Sequence, residues 1–202
     1  MASKTYTILA LGDSYTIGEG VALYESFAYQ TIQLLRKAGH NFNAPEIIAR
    51  TGWTTDDLKT AIRNIQLQTT YNYVSISIGV NDQYQGKSIN DYAANFELLL
   101  KQSICFAANN PSNVFVFSIP DWGQTPFASG RNLQQISKEI NEFNKVNENL
   151  ALQYKAHYIF ITEEKKDSID LKFLATDQLH PSGKEYAKWA NRLADEIQKT
   201  LA

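Results

Sequence analysis

Two rhythms of apolar residues alternate along the chain. Ile8-Leu9-Ala10-Leu11 is an unbroken apolar block closed by Gly12, the pattern of a strand buried on both faces. Four further strands are predicted at Pro45–Ala49, Tyr73–Ile78, Val114–Ile119 and His157–Ile161. Between them the spacing becomes helical. One helix runs from about Ser26 to Ala38, with Phe27, Ile32, Leu34 and Leu35 on its apolar side and Gly39 as its C-cap. A second starts at Thr54 or Thr55, carries Asp56 and Asp57 in its first turn, and buries Leu58, Ala61, Ile62 and Ile65. Further helices are expected over Ile89–Ala108, Leu133–Tyr154 and Ser182–Leu201, with a loop at Val80–Lys87 and an irregular stretch at Pro120–Asn132.

Strand and helix thus alternate five times with no internal repeat. That order predicts an α/β protein: a five-stranded parallel sheet with helices on both faces, a three-layer α/β/α sandwich. At 202 residues the chain is expected to form one domain, residues 1–202. A net charge of −2 leaves no basic footprint, so nucleic acid is not an expected partner. No apolar stretch reaches the length of a membrane span, so stable membrane insertion is not expected. The N-terminus leads almost directly into the first strand, which as given reads as cytoplasmic. Cys105 is the single cysteine, expected as a core thiol on its helix.

Chemistry in an open parallel sheet gathers outside the carboxyl ends of the strands. Gly12-Asp13-Ser14 delivers a serine there. Its hydroxyl needs a base, and the base a carboxylate that fixes its tautomer. The chain has three histidines. His40 sits in a helix-end loop and His157 opens a strand, both structural readings. His180 differs, because Asp177-Gln178-Leu179-His180-Pro181 sets an acid three residues ahead of the imidazole, just before a helix. Gly52 and the Gly79-Val80-Asn81-Asp82 loop also follow strands and should emerge on the same rim. A backbone N–H at Gly52, the side-chain amide of Asn81 and the N–H of Ser14 would form an oxyanion hole. Trp53, Tyr84, Trp122 and Phe127 are candidates to line the substrate pocket, or to be core aromatics.

Gly12-Asp13-Ser14, Gly52, Gly79-x-Asn81-Asp82 and Asp177-x-x-His180-Pro181 resemble, in order, the four signature blocks of the SGNH (GDSL-type) hydrolases. The resemblance implies a flavodoxin-like sandwich with Ser14 as nucleophile, His180 as base and Asp177 as its orienting acid. Ser14, Gly52 and Asn81 would be the oxyanion donors. It implies a serine esterase without cofactor or metal, acting on a small-molecule ester: short acyl, aryl, sugar-acetyl or lysophospholipid-type, with thioesters open to the same machinery. Tyr15 departs from the motif, which has leucine there.

Three other readings are weaker. Gly86-Lys87-Ser88 looks like the end of a phosphate-binding loop, but the glycine required five residues earlier is Asn81. A binding module that had lost activity would not keep every triad and oxyanion position filled. Scattered histidines and one cysteine offer no usual metal-ligand spacing.

Overall fold

In the computed structural model, residues 4–161 and 170–201 are described. Residues 1–3, 162–169 and 202 lie outside them. In chain order the strands are β1 (Thr5–Tyr6), β2 (Ile8–Gly12), β3 (Asn41–Phe42), β4 (Glu46–Ala49), β5 (Tyr73–Ser77), β6 (Val114–Phe117) and β7 (His157–Ile159). The helices are α1 (Ser14–Ile17), α2 (Phe27–Lys37), α3 (Thr55–Asn64), α4 (Val80–Tyr84), α5 (Ile89–Phe106), α6 (Leu133–Gln153) and α7 (Gly183–Leu201).

The main sheet has the order β4-β2-β5-β6-β7 and every pairing in it is parallel. β2 and β5 are central and fully buried, which is why Ile8–Leu11 reads as a continuous apolar run. From β2 the chain moves outward through α2 to β4, then returns across β2 through α3 to β5. Right-handed crossovers running in opposite directions put their helices on opposite faces. Accordingly α2 packs with α7 on one side, and α3, α5 and α6 pack together on the other. The sheet's direction of growth reverses between β2 and β5, and a crevice forms at the carboxyl ends of such neighbours.

Register sets the height of that crevice. Gly12 lies opposite Ala49 on one side and Ser77 on the other, so β2, β4 and β5 end level. The chain then needs room. A Cβ on Gly12 would fall 2.0 Å from Thr16 Oγ1 and 2.4 Å from the Ser77 carbonyl oxygen, so only glycine lets α1 start directly over β5. Under the sheet, Phe27, Phe117 and Trp189 meet at ring distances of 4.9–6.4 Å and join α2, β6 and α7.

The five strands and five long helices fall where the apolar pattern puts them. Several local expectations are corrected. Val80–Lys87 is not a plain loop, because its first half winds into α4. Pro120–Asn132 contains two 3₁₀ turns, Trp122–Gln124 and Pro126–Ala128. β1 and β3 form a small separate parallel pair that two-residue strands give no pattern to predict. Ile65 is not buried: it leaves α3 with extended backbone and is 42% exposed. Ala61 is half-buried against the core. Cys105 is exposed rather than a core thiol. The buried stripe of α5 passes through Phe96, Leu99, Leu100 and Ser103, and a residue two positions past Ser103 points about half a turn away.

Candidate active site

Asp13 and Ser14 stand at the junction of β2 and α1. Asp13 is the N-cap of α1, and its Oδ1 accepts the Tyr15 N–H at 3.0 Å. Ser14 is the first residue of that helix, where a backbone N–H has no intrahelical acceptor. Its side chain meets the far end of the chain: His180 Nε2 lies 2.9 Å from Ser14 Oγ. His180 Nδ1 lies 2.6 Å from Asp177 Oδ2. A carboxylate only accepts, so Nδ1 carries the proton and donates to Asp177, leaving Nε2 to accept from the serine hydroxyl. Ser14 and His180 are 5% and 6% exposed, whereas the Asp177 side chain keeps an open edge at 38%.

The His180 loop is built by the same acid. Asp177 Oδ1 accepts the N–H groups of Leu179 and His180 at 2.9 and 3.0 Å, an Asx-type turn that brings the ring back over the carboxylate. Partial burial raises the Asp177 pKa, but the His180 ring and these two N–H groups outweigh it and hold the carboxyl below its ordinary value. The Tyr15 ring lies 4.8 Å from the imidazole and stacks on Trp189 behind it. Tyr15 therefore braces the histidine, a contact that the spacing of Tyr15 and His180 in sequence does not reveal.

The other two motif loops are tied to each other. Gly52 is exposed with φ +81°. Asn81, in the first turn of α4, donates from Nδ2 to the Trp53 carbonyl at 2.9 Å, leaving its second amide hydrogen unused by that contact. Asp82 is fully buried and accepts from the Thr55 N–H at 2.9 Å and the Thr55 hydroxyl at 2.6 Å, so it fastens α4 to the start of α3. Gly79, before α4, has φ +128°, and a Cβ there would meet the Tyr92 ring within 2.7 Å. Lys87, from the loop-like fragment Gly86-Lys87-Ser88, pairs with Asp56 at 3.0 Å and Asp82 at 3.6 Å. Ser88 is the N-cap of α5.

Of the four aromatic pocket candidates, three come together. Trp122 meets Tyr84 at 5.3 Å and Phe127 at 6.1 Å, edge to face. Tyr84 and Phe127 are exposed, while Trp122 is buried and donates Nε1–H to Gln83 Oε1 at 2.8 Å. The Phe127 N–H reaches the carbonyl of Gln178 at 3.4 Å, which sets this group beside the His180 loop. Trp53 is half-buried against the core and stands apart from that group; its carbonyl is what meets Asn81. Sequence reading missed Gln83, Asp82 as a fastener, and Arg131, whose guanidinium lies over the three rings.

The two remaining histidines have structural surroundings. His157 stacks on Phe115, with Nε2 2.9 Å from the Ser112 carbonyl oxygen. The His40 N–H bonds to the Leu35 carbonyl at the end of α2. Among the described residues no group of three or more His, Cys, Asp or Glu could hold a metal ion, and no helix is long and apolar enough to cross a membrane.

Similarity to known proteins bears on the fold and the family. The model of the GDSL-like lipase/acylhydrolase family matches residues 10–188. A sequence search of curated proteins gave no match. Among solved structures, the psychrotrophic esterase EstA from Pseudoalteromonas sp., inhibited by monoethylphosphonate, aligns with a TM-score of 0.69 at 18% identity, covering 97% of this chain and 98% of that one. A lipase/acylhydrolase from Enterococcus faecalis aligns at 0.74 and 20%, covering 96% of each chain. The W215I form of Axe2, an acetyl xylan esterase from Geobacillus stearothermophilus, aligns at 0.74 and 17%, covering 98% of this chain and 97% of that one. At such identities these likenesses are of fold. The family match covers most of the sequence, and the chain belongs to the GDSL-like lipase/acylhydrolase family, the ester-hydrolysing serine hydrolases of SGNH type.

Proposed function

We propose that the protein is a carboxylesterase working through an acyl-enzyme on Ser14, with His180 as general base and acid and Asp177 as its orienting carboxylate. One observation carries this reading: the unbroken contact from Asp177 Oδ2 through both ring nitrogens of His180 to Ser14 Oγ, at 2.6 and 2.9 Å. Ser14 Oγ attacks the ester carbonyl carbon while Nε2 takes its proton. Asp177 stabilises the imidazolium without itself becoming protonated. Negative charge on the carbonyl oxygen is met by the N–H groups of Ser14 and Gly52 and by the free amide hydrogen of Asn81. Nε2 then passes the proton to the departing alcohol oxygen, and a water activated by the same nitrogen hydrolyses the acyl-serine. Nucleophile, base and oxyanion donors all come from the chain, so the reaction as drawn calls on no cofactor or metal.

The match to esterase folds, one of them described as phosphonate-inhibited, makes a phosphonate the natural probe. Fluorophosphonate labelling should modify the native chain and not Ser14→Ala, and hydrolysis of p-nitrophenyl acetate should be lost in the same variant. Equal labelling of the two would overturn the assignment of Ser14.

A further inference from the structure

Beside the His180 loop, Tyr84, Trp122 and Phe127 form a short aromatic wall with an arginine on it. Arg131 Cζ lies 5.0, 5.2 and 5.9 Å from the three ring centroids, and Nη2 donates to the Tyr84 hydroxyl at 2.9 Å. We propose that Arg131 recognises a carboxylate on the substrate, so that the preferred esters are anionic. This deepens the esterase reading and rests on Ser14 being the nucleophile.

Four observations carry the proposal. First, Arg131 is exposed, and among the described residues no Asp or Glu stands within 4.0 Å of its guanidinium, whereas carboxylates nearby are already engaged. Asp121 accepts from the Gly123 N–H and Gln124 Nε2, and Glu139 accepts from Gln83 and Gln135. A guanidinium offers five N–H donors in a planar fork, and the Tyr84 bond uses one.

Second, the cation is held in place. Trp122 is pinned by Gln83, and Gln83 is pinned by Glu139 at 2.7 Å, so the wall beneath Arg131 cannot easily turn. A fork pre-set on rings loses less freedom on binding a carboxylate than a free side chain would.

Third, the wall is attached to two of the motif segments. Tyr84 is one turn beyond Asn81 on α4, and Phe127 bonds to Gln178, two residues before His180. Fourth, the guanidinium lies 5.0–5.9 Å from all three ring centroids, so a substrate that approaches these rings meets a cation beside them. What the wall presents to a substrate is a charged edge.

The test pairs charged and neutral esters of equal shape. On the alcohol side, 4-acetoxybenzoate is compared with 4-acetoxybenzamide; on the acyl side, mono-4-nitrophenyl adipate is compared with 4-nitrophenyl hexanoate. In native protein at low ionic strength, kcat/KM should favour the anionic member in at least one pair, and that pair identifies the side that Arg131 reads. Raising NaCl from about 10 mM to about 0.5 M should erode the preference by screening. Arg131→Met should lower the anionic-to-neutral ratio about tenfold, and Arg131→Lys should restore part of it, since charge survives but the fork does not. A native protein that treats both members of both pairs alike, or a ratio unchanged in Arg131→Met, overturns the proposal. Should Arg131→Met fold poorly, Arg131→Lys alone decides the matter, since a ratio equal to native in that variant shows that the planar fork is not what reads the carboxylate. A protein that takes up fluorophosphonate and hydrolyses the neutral esters but shows no charge preference sinks this inference alone. One that does neither removes the esterase reading first.

Discussion

Asn81 donates its side-chain amide to the carbonyl of Trp53 at 2.9 Å, which ties the loop after β4 to the helix after β5. One hydrogen of the amide thus positions a loop, and the other is unused by that contact. Asn81→Ala should lower turnover of p-nitrophenyl acetate by roughly 10²–10³, the loss typical of one oxyanion donor, while slow fluorophosphonate labelling of Ser14 survives. Asn81→Ser gives a second comparison, since its shorter hydroxyl removes the amide from both duties. A loss under about fivefold in both variants would mean that the backbone N–H groups of Ser14 and Gly52 carry the charge.

Asp177 offers a cleaner separation of structure from chemistry. Its Oδ1 shapes the turn and its Oδ2 holds the histidine. Asp177→Asn can keep the first role and reverse the second, because an amide nitrogen facing Nδ1 donates where the carboxylate accepted. The ring would adopt the tautomer with its proton on Nε2, facing Ser14. The expected outcome is a fall in kcat of up to about 10⁴ with little change in melting temperature. A variant of near-native rate would show that the acid is dispensable for orienting the base.

How far the sequence disclosed this arrangement depends on the kind of interaction. Strands and long helices were legible because burial leaves a period: β2 is apolar throughout, and α5 repeats its buried residues at helical spacing. Ser14, Gly52 and Asn81 were legible because each follows one of three strands that end level, β2, β4 and β5, whereas Asp177 and His180 were legible from their own spacing just ahead of α7. What escaped has no local period. α4 is a five-residue helix fastened by the buried Asp82–Thr55 contact between residues 27 apart in sequence. Gln83, Trp122 and Glu139 meet from three separate segments, and Arg131 follows Gly130 in a stretch with no pattern at all. Such contacts are products of the finished fold.

Tyr15 illustrates the point and yields a prediction. The motif carries leucine at this position by resemblance, but here a buried tyrosine ring fills the space between His180 and Trp189. Tyr15→Leu removes aromatic volume from a fixed space, which should cost about 2–3 kcal/mol of stability. It should also let the imidazole wander, lowering kcat more than it changes KM. Tyr15→Phe keeps the ring and should stay near native in both rate and stability. If Tyr15→Leu melts lower but retains full kcat, the ring is a core side chain with no part in holding the base.

Asp13 gives the folded state a pH dependence of definite sign. It is 2% exposed, and its burial pushes the carboxyl from 3.8 up to about 8, against the Tyr15 N–H bond that favours the ionised form; Asp82 adds a smaller push upward. Between those two values the folded chain keeps a proton that the unfolded chain has released. Stability from this group is therefore complete below about pH 4 and declines as pH rises toward and through 8. Other groups titrate too, so the informative quantity is a difference. Asn is as good an N-cap as Asp and carries no charge at any pH. The melting temperature of Asp13→Asn should therefore gain on that of native protein by several degrees between pH 5 and pH 9, on the order of 2–4 °C per kcal/mol for a chain of this size. Parallel melting curves across that range would show that Asp13 is ionised in the fold, with its N-cap bond outweighing burial.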